Sequence, residues 1–223
     1  SVMGIVTAIE VQKRNQDRAN IYIDGEYAFD LRLLEAARLR KGQILSDAEV
    51  AALRDDDAVQ KAVDSAARFL SYRPRSREEV RRNLTDKELP KPVVDAALER
   101  LTTMGYLDDD AFARYWAQSR GEFKPLSPRA LRVELKQKGV PDEIIGTVLA
   151  ELDADELAYQ AASAQARKLR QPTLPEFRKK IGDLLRRRGF SYSTIRDVVE
   201  RLLAELTEAD PPYFNPTTES NEE

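Results

Sequence analysis

The chain of 223 residues contains no cysteine and no histidine. Without thiols there is no disulfide, no thiolate nucleophile and no thiolate metal site. Without imidazole the usual general base near neutral pH is missing. Ser-His-Asp and Cys-His catalysis and the His-containing zinc and haem sites go with it. Only nine residues are glycine; none precedes a lysine and no two lie two residues apart, so neither a Walker A loop nor a GxGxxG turn is encoded. The longest uncharged run that leans apolar, Leu157 to Ala166, is far short of a membrane span. The opening residues lack the charged-then-apolar pattern of a signal peptide. The expectation is a soluble, cytoplasmic, non-enzymatic protein that needs no metal and no cofactor.

Charge is what the chain has in abundance. It carries 36 Lys and Arg against 39 Asp and Glu, 34% of all residues, while 42% are hydrophobic. That balance suits solvated helix faces around several thin cores. The first thirty residues differ from the rest. Ile5, Thr7, Ile9 and Val11 alternate with Val6, Ala8 and Glu10, the period of a strand rich in β-branched residues. A second strand is expected at 19–23, Asp24-Gly25 marks a tight turn, and Tyr27, Phe29 and Leu31 alternate again. This predicts a small antiparallel meander packed on a helix that starts near Leu31 and stops near Lys41-Gly42. Ser46 with Glu49 forms a capping box for a further helix.

From about residue 58 the pattern is helical, and it repeats. Val80, Leu84, Leu89, Val93, Val94, Ala97, Leu98 and Leu101 recur 51 residues later as Leu131, Leu135, Val140, Ile144, Ile145, Val148, Leu149 and Leu152. Fifty residues further on stand Ile181, Leu185, Phe190, Thr194, Ile195, Val198, Val199 and Leu202. Three tandem units of about fifty residues follow from this register. Caps divide each unit into three helices: Ser76 with Glu79, Ser127 before Pro128, and Thr173 with Glu176 open the middle helices, and Gly139 and Gly189 close two of them. The fold class is therefore mainly α. Three tandem three-helix repeats form an elongated curved array, preceded by the β meander with one or two helices. The expected boundaries are 1–57, 58–107, 108–153 and 154–205, with an acidic disordered tail over 206–223.

The near-neutral total hides segregation. Basic residues gather on or beside the middle helices: Arg73, Arg75, Arg77, Arg81 and Arg82; then Arg129, Arg132, Lys136 and Lys138; then Arg178, Lys179, Lys180, Arg186, Arg187 and Arg188. One position recurs in register as Lys87, Lys138 and Arg188. A cation near a helix C-terminus can simply complement the helix dipole, worth roughly 0.3–1 kcal/mol. Arg73, Arg75, Arg129, Arg178 and Lys179 lie at or before helix starts, where they oppose the dipole, so a basic ridge for phosphates or an acidic protein surface is expected. Asp108-Asp109-Asp110 fits helix capping better than magnesium. Phe69, Tyr115 and Trp116 fit a core, and Tyr72, amid arginines, is the aromatic best placed to stack on a base.

Several segments together resemble the RecX regulatory proteins. They are the run Ala67-Arg-Phe-Leu-Ser-Tyr-Arg-Pro-Arg-Ser-Arg-Glu-Glu-Val-Arg-Arg-Asn-Leu84, then Gly105-Tyr-Leu-Asp-Asp-Asp-Ala-Phe-Ala113, Pro125-Leu-Ser-Pro-Arg-Ala-Leu131, Glu134-Leu-Lys-Gln-Lys-Gly139 and Arg187-Arg-Gly-Phe190. They span about residues 60 to 205, and the sheet-forming front end resembles an extension found in some members. The resemblance implies a monomer that binds the RecA recombinase filament on single-stranded DNA. It would lodge in the filament groove and inhibit ATP hydrolysis, strand exchange and growth, restraining homologous recombination and the SOS response. The basic residues named above would then meet the filament or DNA, duplex included. Glu88 departs from the pattern, standing where the later repeats have glycine, so Pro90 and Pro92 are expected to stop that helix instead. The rival expectation is a helix-turn-helix-like DNA-binding regulator that acts without RecA.

Overall fold

The computed structural model describes residues 3–215. They divide into two compact units, one comprising residues up to Arg73 with Val80–Leu107, the other Pro74–Glu79 with the residues from Asp108 onward.

The first unit opens with an antiparallel sheet of β1 (Met3–Val11), β2 (Arg18–Ile23), β3 (Glu26–Arg32) and β4 (Ile44–Ser46), in the order β3-β2-β1-β4. Asp24 (φ 51°) and Gly25 (φ 88°) make the β2–β3 turn, as their sequence foretold. Only the four residues of α1 (Leu33–Ala36) are helical where a longer helix was expected. The chain instead uses Gly42, at φ 87°, to turn into β4, which pairs with β1 through Ile5 and Ile44. Three residues are too few to show a strand period, so β4 escapes a sequence pattern.

Helix α2 (Asp47–Leu70) carries the Ser46–Glu49 capping box and runs unbroken for 24 residues. Its first turns, through Val50 and Leu53, cover the sheet core of Val6, Ile21, Phe29 and Leu31. Its later turns place Val59, Ala62, Val63 and Ala66 in a second core. Helix α3 (Arg77–Thr85) contributes Val80 and Leu84 to it, and α4 (Lys91–Thr103) Val94, Ala97, Leu98 and Leu101. The boundary expected at 57/58 thus falls inside a helix. Asp57, at that crossover, is buried and accepts a hydrogen bond from Arg18 Nη2 at 2.8 Å. Arg18 also holds Asp30 on β3, and Lys61 adds an ion pair to Asp57 at 3.1 Å.

The second unit holds two three-helix bundles. The first is α5 (Asp109–Phe123), α6 (Pro128–Gln137) and α7 (Asp142–Ala150), around Phe112, Leu131, Leu135 and Ile145. The second is α8 (Ala154–Ala166), α9 (Leu174–Arg187) and α10 (Tyr192–Ala209), around Phe177, Ile181, Leu185 and Leu202. Alanines line α8 because it packs closely on α10. None of the aligned apolar positions of the three repeats is exposed. The expected caps form: Ser127 accepts from Ala130 N, Thr173 and Glu176 make a capping box, and Asp108 accepts from Ala111 N.

Two expectations change. Residues 206–215 are not a tail: α10 continues to Ala209, and a 3-10 turn at Pro211–Tyr213 folds the chain back. Phe214 meets Phe177 edge to face at 5.3 Å, and Tyr213 donates its hydroxyl proton to the Ala166 carbonyl. Burial of two aromatics outweighs the local acidity. Residues 216–223 lie outside the described residues. Glu88 also ends α3 as the glycines end α6 and α9, in the left-handed conformation at φ 59°. Its exposed side chain leaves room for a strained but tolerated cap.

Candidate interaction surface

The recurring cation before the helix-ending glycine turns inward. Lys138 follows α6, and its carbonyl accepts a hydrogen bond from Ser76 Oγ at 2.5 Å. Its Nζ pairs with Glu79 Oε1 at 2.9 Å and lies 4.5 Å from the centre of the Trp116 ring. Ser76 and Glu79 cap each other reciprocally, Ser76 N donating to Glu79 Oε2 and Glu79 N to Ser76 Oγ. Asp109 completes this arrangement by accepting from Arg77 N at 2.8 Å. Burial raises the Asp109 carboxyl above its ordinary range despite that bond.

The same construction recurs one repeat later. Arg188 follows α9; its carbonyl accepts from Ser127 N and its Nη1 donates to the Pro125 carbonyl, each at 3.0 Å. Burial, then the neighbouring Arg187, lowers the Arg188 pKa, and the guanidinium remains charged. The glycine after each cation is needed twice over. Gly139 and Gly189 have φ of 75° and 86°. A Cβ on Gly139 would overlap Glu78, and one on Gly189 would stand 2.7 Å from Ser127 Oγ. Lys138 and Arg188 therefore build contacts between helix ends within the second unit and are not members of an open ridge. The signal was present in the sequence, because a dipole-complementing cation has no need of strict register with a glycine and an upstream serine.

The other basic residues divide into engaged and open. Arg81 pairs with Asp95 at 2.6 Å, and none of Arg73, Arg75, Arg77 and Arg82 is without a partner. Arg132 and Lys136 both face Asp142, at 3.9 and 3.1 Å. Arg178 holds Glu200, which raises its pKa, and Arg186 reaches Asp183 at 3.0 Å. Arg129, Lys179, Lys180 and Arg187 are exposed, with no ion pair among the described residues. Eleven of the fifteen basic residues are thus engaged within the chain, and four stay open. The open cations are concentrated on α9, with one at the start of α6. Of the aromatics, Phe69 and Trp116 pack against cores, whereas Tyr115 and Tyr72 are exposed. Among the described residues no cluster of Asp or Glu could hold a metal ion, and no helix is long and apolar enough to cross a membrane.

Comparison with known proteins gives these modules a family. Residues 4–46 match the regulatory protein RecX N-terminal domain. Residues 62–101, 108–149 and 153–199 match its first, second and third three-helix domains. The chain belongs to the RecX family. Regulatory protein RecX of Bacillus pumilus (strain SAFR-032) is 35% identical over 199 residues, 86% of this chain and 75% of that protein. Regulatory protein RecX of Lactobacillus delbrueckii subsp. bulgaricus is 36% identical over 214 residues, 92% of this chain and 78% of the relative. A crystal structure of regulatory protein RecX superposes with a TM-score of 0.70 at 28% identity, covering 88% of this chain and 99% of that one. RecX proteins are regulators, and this chain shares their sheet module and all three helical domains.

Proposed function

We propose that this RecX-family protein binds the RecA filament on single-stranded DNA and restrains it. It inhibits ATP hydrolysis, strand exchange and filament growth, and thereby modulates homologous recombination and the SOS response. It acts in the cytoplasm as a monomer, without catalytic turnover of its own. The observation that carries this is the match to all four RecX segments in order, from residue 4 to residue 199.

The chemistry of the surface supports it. A filament presents the same surface at regular intervals, and modules of one spacing can meet equivalent sites on it. Several weak contacts on one chain then add through effective concentration. The open cations Arg129, Lys179, Lys180 and Arg187 supply long-range attraction to phosphates or acidic protein.

The test is RecA ATP hydrolysis on single-stranded DNA with this protein titrated in. Inhibition at substoichiometric ratios supports capping of growing filaments, and inhibition only near saturation supports coating of the groove. No inhibition, together with salt-sensitive binding to naked duplex, would replace this function with that of a DNA-binding regulator independent of RecA.

A further inference from the structure

Gly182 occupies a position where both earlier repeats carry arginine. The fifty-residue spacing aligns it with Arg132 of α6, and through that with Arg81 of α3. Those arginines lie across the groove toward the following helix, Arg81 on Asp95 and Arg132 toward Asp142. In the third repeat no side chain fills that space. A cavity of about 300 Å³ opens between α9 and α10, floored by Gly182, Phe190 and Ile195. A second exchange accompanies the first: Tyr192 stands where the second repeat has Asp142. Its ring lines the cavity and is 81% exposed.

The rim carries three arginines and one carboxylate, Glu200. Arg178, Arg186 and Arg196 line it, each steadied by a carboxylate: Glu200, Asp183 at 3.0 Å and Asp197 at 2.9 Å. A guanidinium has five N–H donors, so each fork keeps donors for a phosphate. Helix α9 bears five cations against two acids. A flat exposed ring beside an apolar recess, ringed by arginines, is the combination that takes an unstacked base and its phosphates. Bases in a duplex are stacked and cannot enter, so the ligand is single-stranded.

We propose that the α9–α10 groove of the third repeat binds single-stranded nucleic acid, seating one base against Tyr192 above Gly182 with the adjoining phosphates on the arginine rim. The proposal rests on the nucleic-acid side of the function given above and assigns it to named residues.

The full chain is titrated against a fluorescein-labelled oligothymidylate, followed by fluorescence anisotropy. Tyr192→Ala should weaken binding about tenfold, and Tyr192→Phe should stay within about twofold, because the ring and not the hydroxyl carries the stacking. Gly182→Arg restores the residue of the earlier repeats; it adds positive charge yet should weaken binding by filling the recess. Pure charge attraction requires the opposite sign. Cross-linking to an oligonucleotide bearing 5-iodouracil should map to the peptide containing Tyr192. Wild-type affinity in Tyr192→Ala, or tighter binding by Gly182→Arg, overturns the proposal. So does an intact chain that binds no oligonucleotide while Tyr192→Ala loses its hold on RecA, since the groove then takes protein. Restraint of RecA ATP hydrolysis, measured in parallel, judges the filament function separately. A variant that loses the oligonucleotide but still restrains RecA leaves that function standing and supports the groove.

Discussion

Lys138 Nζ lies 2.9 Å from Glu79 Oε1, and both side chains are largely shielded from solvent, at 22% and 13% exposure. The ammonium also sits over the face of Trp116, whose indole N–H is held by Glu134 at 2.8 Å. Removing Lys138 takes an ammonium away from a shielded carboxylate and from the indole face. Lys138→Ala should destabilise the protein by about 2 kcal/mol and shift the emission of Trp116, the one tryptophan in the chain. Arg129→Ala should do neither. Thermal melts followed by tryptophan fluorescence check both, and wild-type melting and emission in Lys138→Ala would make this lysine an ordinary surface charge.

The helix-ending positions should respond oppositely to substitution. Gly189→Ala forces a Cβ to 2.7 Å from Ser127 Oγ on a backbone at φ 86°. Gly105→Ala meets the same backbone strain, φ 78°, in open space. The first should cost about 3 kcal/mol and the second about 1 kcal/mol. Glu88→Gly relieves a left-handed residue and should stabilise by up to about 1 kcal/mol. Urea denaturation of the three variants measures the order. Equal losses at 105 and 189 would mean that the close approach to Ser127 carries no energy.

Asp57 gives a signed pH dependence. Burial alone would raise its pKa, but hydrogen bonds from Arg18 and Lys61 outweigh burial and hold it below the ordinary carboxylate value. Its contribution is therefore complete above the unfolded value, about 4, and disappears as pH falls through the lower native value. Asp57→Asn should cost about 3 kcal/mol near neutrality, with the difference from wild type shrinking below about pH 4. Asp109 runs the other way. Burial raises its native value, so its ionised form opposes folding and the penalty fades as pH falls toward the unfolded value. Denaturation at several pH values with Asp57→Asn and Asp109→Asn tests both signs.

Phe214 belongs to the core of the third repeat through its contact with Phe177. Phe214→Ala should cost about 2 kcal/mol, less than a fully buried phenylalanine, and truncation after Glu205 should cost more. Unchanged calorimetric melting of the truncated chain would show that the 3-10 turn adds nothing.

Arg129, Lys179, Lys180 and Arg187 should matter for the partner and not for the fold. Reversing all four to Glu should raise the concentration needed to restrain RecA ATP hydrolysis at least tenfold and flatten its salt dependence, with the melting temperature unchanged. Full activity with an unaltered helical spectrum would exclude them from the interface.

The repeat, its caps and the sheet at the front were legible because each rests on local rules. A fifty-residue register of Val, Ile and Leu can only mean recurring buried faces. Ser46 with Glu49 and Thr173 with Glu176 satisfy N–H groups three residues away. Asp24-Gly25 carries its turn within two residues. What escaped were pairings between segments far apart in the chain. Nothing near residue 57 says that α2 passes from one core to another there, since Asp57 finds Arg18 thirty-nine residues back. Lys138 is basic wherever it lies; only the approach of Ser76 and Glu79 makes it a structural residue. The same holds for the acidic-looking end that Phe177 recruits into a core, and for the groove that opens because Gly182 and Tyr192 come to face one space. The sequence by itself determined which faces are apolar and where helices begin, because those are properties of neighbours. The tertiary structure decided which charges are used up and which stay open, because an ion pair needs its partner brought within a few ångströms by folding.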